Sequence, residues 1–242
     1  MEDLLLRTLP ELEQEWEGAT APEIDAIERI AGRPLPRFYR WFLTRMGKSM
    51  GPMSWAHVDF SAQTVLESYA KGDVTPLPGF LMIGLHSNLA MRLHYYYNLD
   101  LPARDDARVT RMDPLEGPAG ASDQFETLRE MFGRSVLRIH RMDKLPQRCN
   151  GWFEVDGGDV CSTLDPIMSR LGFTRPIPTG LYCGLYERAD AVLTCSDEPR
   201  DEPESQVFYL GGEDEVALRR ILGAIAMASV QVEIRDWTPP LP

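Results

Sequence analysis

The sequence predicts an α+β fold in which helices come first, strands follow, and a smaller α+β unit completes the chain. Three observations indicate this fold class. Residues 20–47 carry the start and stop signals of two helices, and residues 80–112 contain apolar and alternating runs typical of strands. After residue 143 a new series of helix and strand patterns begins. We therefore expect one domain over residues 1–143 and a C-terminal α+β extension over residues 144–242.

Thr20 marks the start of the first predicted helix. Glu23 follows three residues later, the spacing of a capping box, and Pro22 lies in the first turn, where its missing N–H is not needed. An apolar stripe runs along this helix, formed by Ile24, Ile27 and Ile30. Gly32 then supplies the left-handed conformation that commonly ends a helix.

Leu35-Pro36 opens the second predicted helix, which ends at Gly47. One face of this helix is apolar and aromatic, formed by Tyr39, Phe42, Leu43 and Met46. A further short helix is predicted over residues 61–69, closed by Gly72. We therefore expect three helices to precede the first long strand.

Strands are predicted over three segments that follow. The run FLMIGL at residues 80–85 is continuously apolar, and residues 89–99 alternate strictly between apolar and polar side chains. A short strand over residues 108–112 comes next, and a helix is then expected to begin at Ser122 or Asp123. The apolar face of that helix is formed by Phe125, Leu128, Met131 and Phe132.

The C-terminal unit begins with a predicted connection at residues 143–163, because polar turn residues surround one short apolar patch there. The elements expected after it are helix 164–171, strands 181–187 and 191–195 paired as a hairpin, strand VFYLGG, helix 213–228 and strand 230–234. This unit therefore has its own mixture of helices and strands.

The helical pair and the segments after it match a recurring set of short motifs. The matching positions are Ile24, Glu28, Ala31-Gly32, Leu35-Pro36, Tyr39, Phe42-Leu43, Gly47, Ile83-Gly84, Leu99-Asp100, and Phe125 with Leu128. On these residues the chain, over about residues 10–142, resembles the SUKH superfamily. It departs from the pattern at Met46-Gly47-Lys48, where a double or Asn-preceded glycine is usual, and at His86-Ser87-Asn88, where a glycine turn is expected.

The resemblance implies both a fold and a function. The implied fold has N-terminal helices packed on a curved, mostly antiparallel sheet. Members of the superfamily are mostly immunity proteins of bacterial toxin systems, so the implied function is neutralisation of a cognate toxin by direct binding and occlusion of its active site. No catalytic mechanism and no cofactor are implied. The alternatives are a regulatory or scaffold protein of the same fold that binds a housekeeping partner, and an enzyme whose site carries no recognisable motif.

The formal net charge of −12 limits the kinds of partner. Such a chain repels nucleic acid and anionic membranes, and it is electrostatically biased toward a toxin with a basic surface. The same charge is also explained by solubility alone.

The sequence also bears on the compartment of the protein. The chain begins without a basic leader, lacks any apolar run of about 20 residues, and has four cysteines with no CxxC pair. We therefore expect a cytoplasmic protein with reduced thiols.

Motifs for chemistry are weak in this chain. Gly47-Lys48-Ser49 resembles the end of a phosphate-binding loop, but the first glycine of such a loop is missing. His86 and His94 lack a third ligand at zinc-site spacing. Cys149 lies beside an arginine, and an inert thiol is favoured there. Asp156-Gly157-Gly158-Asp159 indicates a tight turn without the alternating oxygen ligands of a calcium loop. We therefore expect no metal site and no catalytic residue.

Two groups of residues are candidates for contact with a partner. The first is the polar face of the alternating strand, where a guanidinium, an imidazole and a phenol converge, carried by Arg92, His94 and Tyr96. The second is the acidic loop, defined by Asp197, Glu198, Asp201, Glu202 and Glu204. These carboxylates are expected to attract a basic toxin surface and to speed association, with a solvated, mobile loop as the alternative. A further acidic stretch is interpreted as solvated helix surface, formed by Glu11, Glu13, Glu15 and Glu17.

Overall fold

A computed structural model of the protein describes residues 1–55, 57–88, 92–199 and 203–239. Within them the protein is an α+β structure with antiparallel sheets, as the sequence predicts. The chain forms two compact units: Leu9–Arg129, here called the N-unit, and Met1–Thr8 together with Glu130–Pro242, here called the C-unit. The division after Arg129 differs from the boundary at residue 143 that the sequence indicated.

The helices are short and are distributed over both units. Those in the described residues are α1 (Glu2–Thr8), α2 (Leu12–Glu15), α3 (Ala21–Ala31), α4 (Arg37–Met46), α5 (Ala62–Lys71), α6 (Leu128–Val136), α7 (Val160–Arg170) and α8 (Glu215–Ala226). Helix α6 continues into a π-helical turn over Leu137–Arg141. The helix α8 has 12 residues, and none of the described helices is long and apolar enough to cross a membrane.

The strands pair antiparallel wherever the described residues show a pairing. They are β1 (Trp16–Glu17), β2 (Ser49–Met50), β3 (Val58–Asp59), β4 (Phe80–His86), β5 (His94–Ala103), β6 (Asp106–Met112), β7 (Ser122–Phe125), β8 (Gln147–Val155), β9 (Cys183–Arg188), β10 (Ala191–Ser196), β11 (Ser205–Gly212) and β12 (Val230–Thr238). Strands β1 and β2 form a small ribbon, and the remaining strands form one five-stranded sheet in each unit.

The N-unit is built on the sheet with strand order β3-β4-β5-β6-β7. Helices α3 and α5 contact β4, and α4 contacts β6, so these helices lie against the sheet. Most of the apolar residues that predicted the helical pair are buried, with Ile24, Leu35 and Phe42 at most 6% exposed, whereas Ile30 is half-buried. Removal of this apolar surface from water is the main force that holds the helices to the sheet.

The predicted start of α3 and the predicted ends of α3 and α5 are confirmed. The hydroxyl and the backbone N–H of Thr20 both donate to the Glu23 carboxylate at 2.7 Å. Gly32 ends α3 in the left-handed conformation with φ 67°, and Gly72 ends α5 in the same way with φ 77°. These predictions succeed because each signal acts within about one turn of the chain.

The predicted helix from Ser122 or Asp123 is wrong. Residues Ser122–Phe125 form β7, in which Asp123 lies opposite Thr110 of β6. The Arg108 guanidinium also pairs with the Asp123 carboxylate at 2.7 Å. Helix α6 starts only at Leu128. Strand pairing and an ion pair across the sheet therefore outweigh the helical pattern of this segment, because context decides the state of short segments.

The alternating strand also starts later than predicted. Strand β5 begins at His94, so Arg92 belongs to the segment before the strand. Residues 89–91, which the prediction included in the strand, lie outside the described residues. The polar side chains of this region are therefore presented partly by a connection and partly by a strand end.

The predicted connection at residues 143–163 is wrong. Its middle part is β8, which lies between β12 and β11 in the C-unit sheet of order β12-β8-β11-β10-β9. Side chains buried along β8 alternate in sequence and are Cys149, Phe153 and Val155. Gly151 and the polar residues of β8 interrupt the apolar pattern that would indicate this alternation. The segment therefore has the composition of a loop. Helix α7 likewise begins earlier than predicted, at Val160.

Helices α7 and α8 cover one face of the C-unit sheet. The core between them includes Phe153, Leu164, Phe208, Ile221 and Ile225. Helix α1 and the π-helical turn cover part of the opposite face, where the core includes Leu4, Leu137, Leu185 and Val192. The predicted hairpin is confirmed as the antiparallel pair β9–β10, and the predicted last helix is α8.

Candidate functional site

A cleft of about 390 Å³ lies in the N-unit where β4 ends and β5 begins. His86 is the last residue of β4 and His94 is the first residue of β5, and both line this cleft together with Arg92. We call it the histidine cleft. Of the three polar residues predicted on one strand face, Arg92 and His94 therefore do come together, with His86 beside them, whereas Tyr96 does not line the cleft.

The two imidazoles of the histidine cleft are held in a defined proton arrangement. The backbone N–H of His86 donates to Nδ1 of His94 at 3.2 Å, and the backbone N–H of Asn88 donates to Nδ1 of His86 at 3.1 Å. Since Nδ1 accepts in both rings, each neutral ring carries its proton on Nε2. Burial lowers the pKa of His94, and nearby His86 lowers it further, while Asp113 opposes the change. The His94 ring is therefore a neutral hydrogen-bond donor near pH 7.

Two carboxylates that the sequence analysis did not single out, Asp73 and Asp113, also line the histidine cleft. Asp113 follows β6, and the register that pairs His94 with Met112 brings it beside the imidazole. Its Oδ1 accepts the backbone N–H of Leu115 at 2.8 Å. The side chain of Leu115 is 78% exposed at the rim. Only strand register reveals this neighbourhood, because Asp113 and His94 lie on different strand segments.

Tyr96 lies in the interior of the N-unit and is only 1% exposed. Its hydroxyl has no hydrogen-bond partner within the described part of the chain. Burial raises the pKa of Tyr96, and nearby Tyr69 and Asp113 raise it further. Tyr97, the next residue, is also buried, so strict alternation of inside and outside does not hold here. The Tyr96 side chain therefore offers no surface to a partner, in contrast to Arg92, which is exposed.

The acidic loop is described only in part. Asp197, Glu198 and Glu204 lie in described residues, whereas Asp201 and Glu202 lie outside them. Asp197 follows the end of β10, and its backbone N–H donates to the Tyr182 carbonyl at 3.1 Å. The Glu204 carbonyl accepts the backbone N–H of Val155 at 2.9 Å, which joins the end of the loop to β8. Glu198 and Glu204 are exposed.

An exposed aromatic residue next to this loop was not found by sequence reasoning. Trp152 of β8 is 37% exposed, and strand register places Val207 of β11 and Glu233 of β12 directly opposite it. Glu154 lies two residues along β8 on the same face and pairs with Ser205, the residue after Glu204. We call this surface the tryptophan face, formed by Trp152, Glu154, Val207 and Glu233.

The alternating pattern of β8 predicts which of its side chains form the tryptophan face. Because Cys149, Phe153 and Val155 point inward, Trp152 and Glu154 must point outward. In antiparallel sheets directly opposite side chains have Cβ atoms about 5 Å apart, so Glu233 and Trp152 are neighbours. The tryptophan face therefore combines one large apolar ring with exposed carboxylates from two strands, and Glu204 of the acidic loop borders it.

The remaining motifs have structural explanations. Lys48 pairs with the Glu17 carboxylate at 3.0 Å after the end of a helix, not beyond a strand as a phosphate loop requires. Burial raises the pKa of the Cys149 thiol to about 12, so its nucleophilic thiolate is scarce. The Asp159 carboxylate accepts the backbone N–H of Ser162 at 2.7 Å and thereby caps α7. Each of these residues has a role in the fold itself.

Within residues 1–55, 57–88, 92–199 and 203–239, no group of three or more His, Cys, Asp or Glu side chains is arranged to hold a metal ion. A third ligand for His86 and His94 is thus not supplied by this part of the chain. The histidine cleft is accordingly described by its hydrogen-bonding groups.

Comparison of the chain with protein-family models finds no match. Comparison with curated proteins finds no match either. The fold and the surfaces define an α+β protein with an exposed acidic and aromatic face on one unit and a polar cleft on the other. Its function is inferred below from these features.

Proposed function

We propose that this chain is an immunity protein that binds a cognate bacterial toxin and blocks the toxin's active site. The observation that carries the proposal is the tryptophan face, where exposed Trp152 lies opposite Glu233 and beside Glu154. Aromatic side chains commonly supply the energetic centre of a protein interface, and surrounding charges set the rate and orientation of association. A carboxylate rim on a chain with net charge −12 favours a partner with a basic surface.

The resemblance to the SUKH superfamily supplies the class of partner. It is supported by the burial of Ile24, Leu35 and Phe42, as expected for helices that pack on a sheet. The function follows from the resemblance by analogy, because one fold serves many functions. On this proposal the chain acts in the bacterial cytoplasm, where it meets the toxin, and binds neither nucleic acid nor a membrane surface.

The histidine cleft favours a binding role over a catalytic one. A general base needs a nitrogen that is free to accept a proton. In His86 and His94, Nδ1 is occupied by a backbone N–H and Nε2 carries the ring proton in the neutral form. Both rings therefore donate hydrogen bonds rather than remove protons. With exposed Arg92 and the carboxylates of Asp73 and Asp113, they give the cleft both donors and acceptors for polar contacts with a partner.

The test is co-expression in a bacterial host of this chain with the product of the adjacent gene. We expect the wild-type chain to rescue growth and to co-purify with the toxin. Trp152→Ala should weaken the complex by about thirtyfold or more, since truncation of a central aromatic residue commonly costs about 2 kcal/mol or more. Leu101→Ala is the matched control, because Leu101 is also a large exposed apolar residue, at 44%, and lies on β5 outside the tryptophan face.

Charge reversal on the tryptophan face tests electrostatic steering. The double change Glu154→Lys with Glu233→Lys should slow association and reduce its dependence on salt. Glu213→Lys is the control, because Glu213 follows β11 at the end opposite to Ser205. A folded wild-type chain that neither rescues growth nor binds the adjacent toxin would contradict the proposed function. A housekeeping protein bound through Trp152 would instead support a regulatory role.

A further inference from the structure

A second cleft, of about 260 Å³, lies in the C-unit, next to the tryptophan face on the same side of the sheet. Two arginines, Arg138 and Arg148, line it together with Tyr209 and Asn150. Asp143 also lines it. Two permanent cations and one carboxylate line it, and a second carboxylate, the exposed Asp236, lies directly opposite Asn150 in the β8–β12 pairing.

Arg138 is fixed in position by stacking. Its Cζ lies 3.7 Å from the centroid of the Tyr209 ring, a close cation–π contact. Within the described part of the chain, no carboxylate lies within ion-pair distance of Arg138. A guanidinium that stacks through its face keeps the N–H groups at its edge directed outward. Arg138 is therefore a preorganised donor without a counter-ion.

Arg148 approaches the same cleft from β8 and is also held in place. Its Nη1 donates to the Asp143 carbonyl at 2.7 Å and lies 3.7 Å from the Asp143 carboxylate. That carboxylate is 61% exposed, so solvent screens its effect on the cleft. The pKa of Arg134, whose guanidinium also lies over Tyr209, is lowered by burial and then by Arg138. Three guanidinium groups, from Arg134, Arg138 and Arg148, therefore lie close to Tyr209.

Asn150 adds a neutral donor to the lining of the cleft. It lies directly opposite Tyr209 in the β8–β11 pairing and two residues from Arg148 along β8. Its side-chain amide makes no hydrogen bond with the residues that the structure describes. An amide provides two N–H donors and one acceptor oxygen, so it can complete a set of contacts around an anion.

We propose that this cleft binds the phosphate group of a small ligand. Guanidinium groups match the oxygens of phosphate with paired N–H donors, and charge-assisted bonds of this kind are stronger than neutral ones. Two guanidinium groups suit the double negative charge of phosphate better than the single charge of a carboxylate. The cleft is smaller than the roughly 300–1,000 Å³ of typical ligand pockets, which favours inorganic phosphate or a small phosphate monoester. The phosphate test needs no toxin, so it can succeed or fail separately from the proposed function.

The test uses the full chain with inorganic phosphate as the probe. NMR resonances of the Arg138 side-chain Nε–H and the Asn150 side-chain amide are followed during titration at constant ionic strength. We expect saturable shifts with phosphate, and affinity for acetate about tenfold weaker or more. O-phosphoserine serves as the second arm, and tighter binding than inorganic phosphate would identify a monoester ligand. Shifts that do not saturate, or equal affinity for acetate, would overturn the proposal.

Variants separate this site from general charge effects. Arg138→Gln and Asn150→Asp should each weaken phosphate binding by about tenfold or more, the second because it places a carboxylate opposite the arginines. Arg170→Gln is the control, because Arg170 is an exposed arginine at the end of α7. The phosphate affinity of this variant should match that of the wild type. Unchanged phosphate affinity in Asn150→Asp overturns the proposal, whether or not Arg138→Gln folds. Toxin binding can fail without affecting either result.

Discussion

The carboxylate of Glu28 accepts a hydrogen bond from the backbone N–H of Leu35, with 2.9 Å between Oε2 and the nitrogen. The Arg40 guanidinium pairs with the same oxygen. Leu35 lies in the elbow between α3 and α4. The Glu28 side chain of α3 therefore accepts a hydrogen bond from the backbone of the elbow and forms an ion pair with α4. Glu28, a position that carries the family resemblance, therefore has a structural role.

Replacement of Glu28 tests that role. Glu28→Ala should lower the free energy of unfolding by about 1–2 kcal/mol, because it leaves the Leu35 N–H without its acceptor. Glu28→Gln keeps an acceptor oxygen and should lose less. Urea denaturation measures both variants, with exposed Glu13→Ala as a control expected to change stability by less than about 0.5 kcal/mol. If Glu28→Ala lowers the free energy of unfolding no more than the Glu13→Ala control does, Glu28 has no such structural role.

The Glu28 contact also predicts a dependence on pH. The Leu35 N–H lowers the pKa of Glu28 below its ordinary value of 4.5, and Arg40 lowers it further. A lowered pKa means that this stabilisation is present above pH 4.5 and is lost as the pH falls through the folded-state value. The difference in unfolding free energy between wild type and Glu28→Gln should therefore shrink below about pH 4.5. Equal differences at pH 3 and pH 7 would contradict this explanation.

Asp106 predicts the opposite trend. Its carboxyl group is buried and accepts hydrogen bonds from the Tyr97 hydroxyl at 2.6 Å and the backbone N–H of Arg129 at 3.0 Å. Burial raises its pKa from the ordinary 3.8 to about 6, although these hydrogen bonds oppose the shift. Protonation therefore favours the folded state, and this contribution is full below pH 3.8 and lost as the pH rises through about 6.

The measurement for Asp106 is urea denaturation of wild type and Asp106→Asn between pH 3 and pH 7. The stability of wild type relative to Asp106→Asn should fall across this range by up to about 3 kcal/mol, since one pKa unit corresponds to about 1.4 kcal/mol. A relative stability that stays constant or rises with pH would show that folding does not raise the pKa of Asp106.

The core of the N-unit predicts large losses on truncation. Phe42 is 0% exposed, and Phe42→Ala should lower the free energy of unfolding by about 3–5 kcal/mol through lost burial and a new cavity. Leu35→Ala, at a site 6% exposed, should cost about 2–5 kcal/mol. Leu115→Ala is the control, because its side chain is 78% exposed. Loss of less than about 0.5 kcal/mol for Phe42→Ala would place that ring outside the core.

Two glycines of the C-unit should respond oppositely to alanine. A Cβ on Gly151 would lie 1.8 Å from the Glu233 carbonyl oxygen, so β8 and β12 would have to separate. Gly151→Ala should therefore lower the free energy of unfolding by about 3 kcal/mol or more. Gly223 lies in α8 with no atom within 4 Å of an added Cβ. Gly223→Ala should raise stability by about 0.5–1 kcal/mol, and thermal unfolding compares the pair.

Local sequence signals determined where several elements begin and end. Thr20 with Glu23 specified the start of α3, and Gly32 specified its end. The hairpin β9–β10 and helix α8 were also predicted from their own residues. Such signals suffice because helix caps and tight turns are made by residues within a few positions of one another.

Tertiary structure decided which faces are covered and which distant residues meet. Alternation along β5 predicted that Tyr96 faces outward, yet the ring is 1% exposed. Composition placed Trp152 in a connection, whereas β8 pairs on both sides and leaves the ring exposed. Asp113 joins His94, and Asn150 joins Tyr209, only through strand register. Strand partners and the layers that cover a sheet come from remote parts of the chain, so no local pattern contains them.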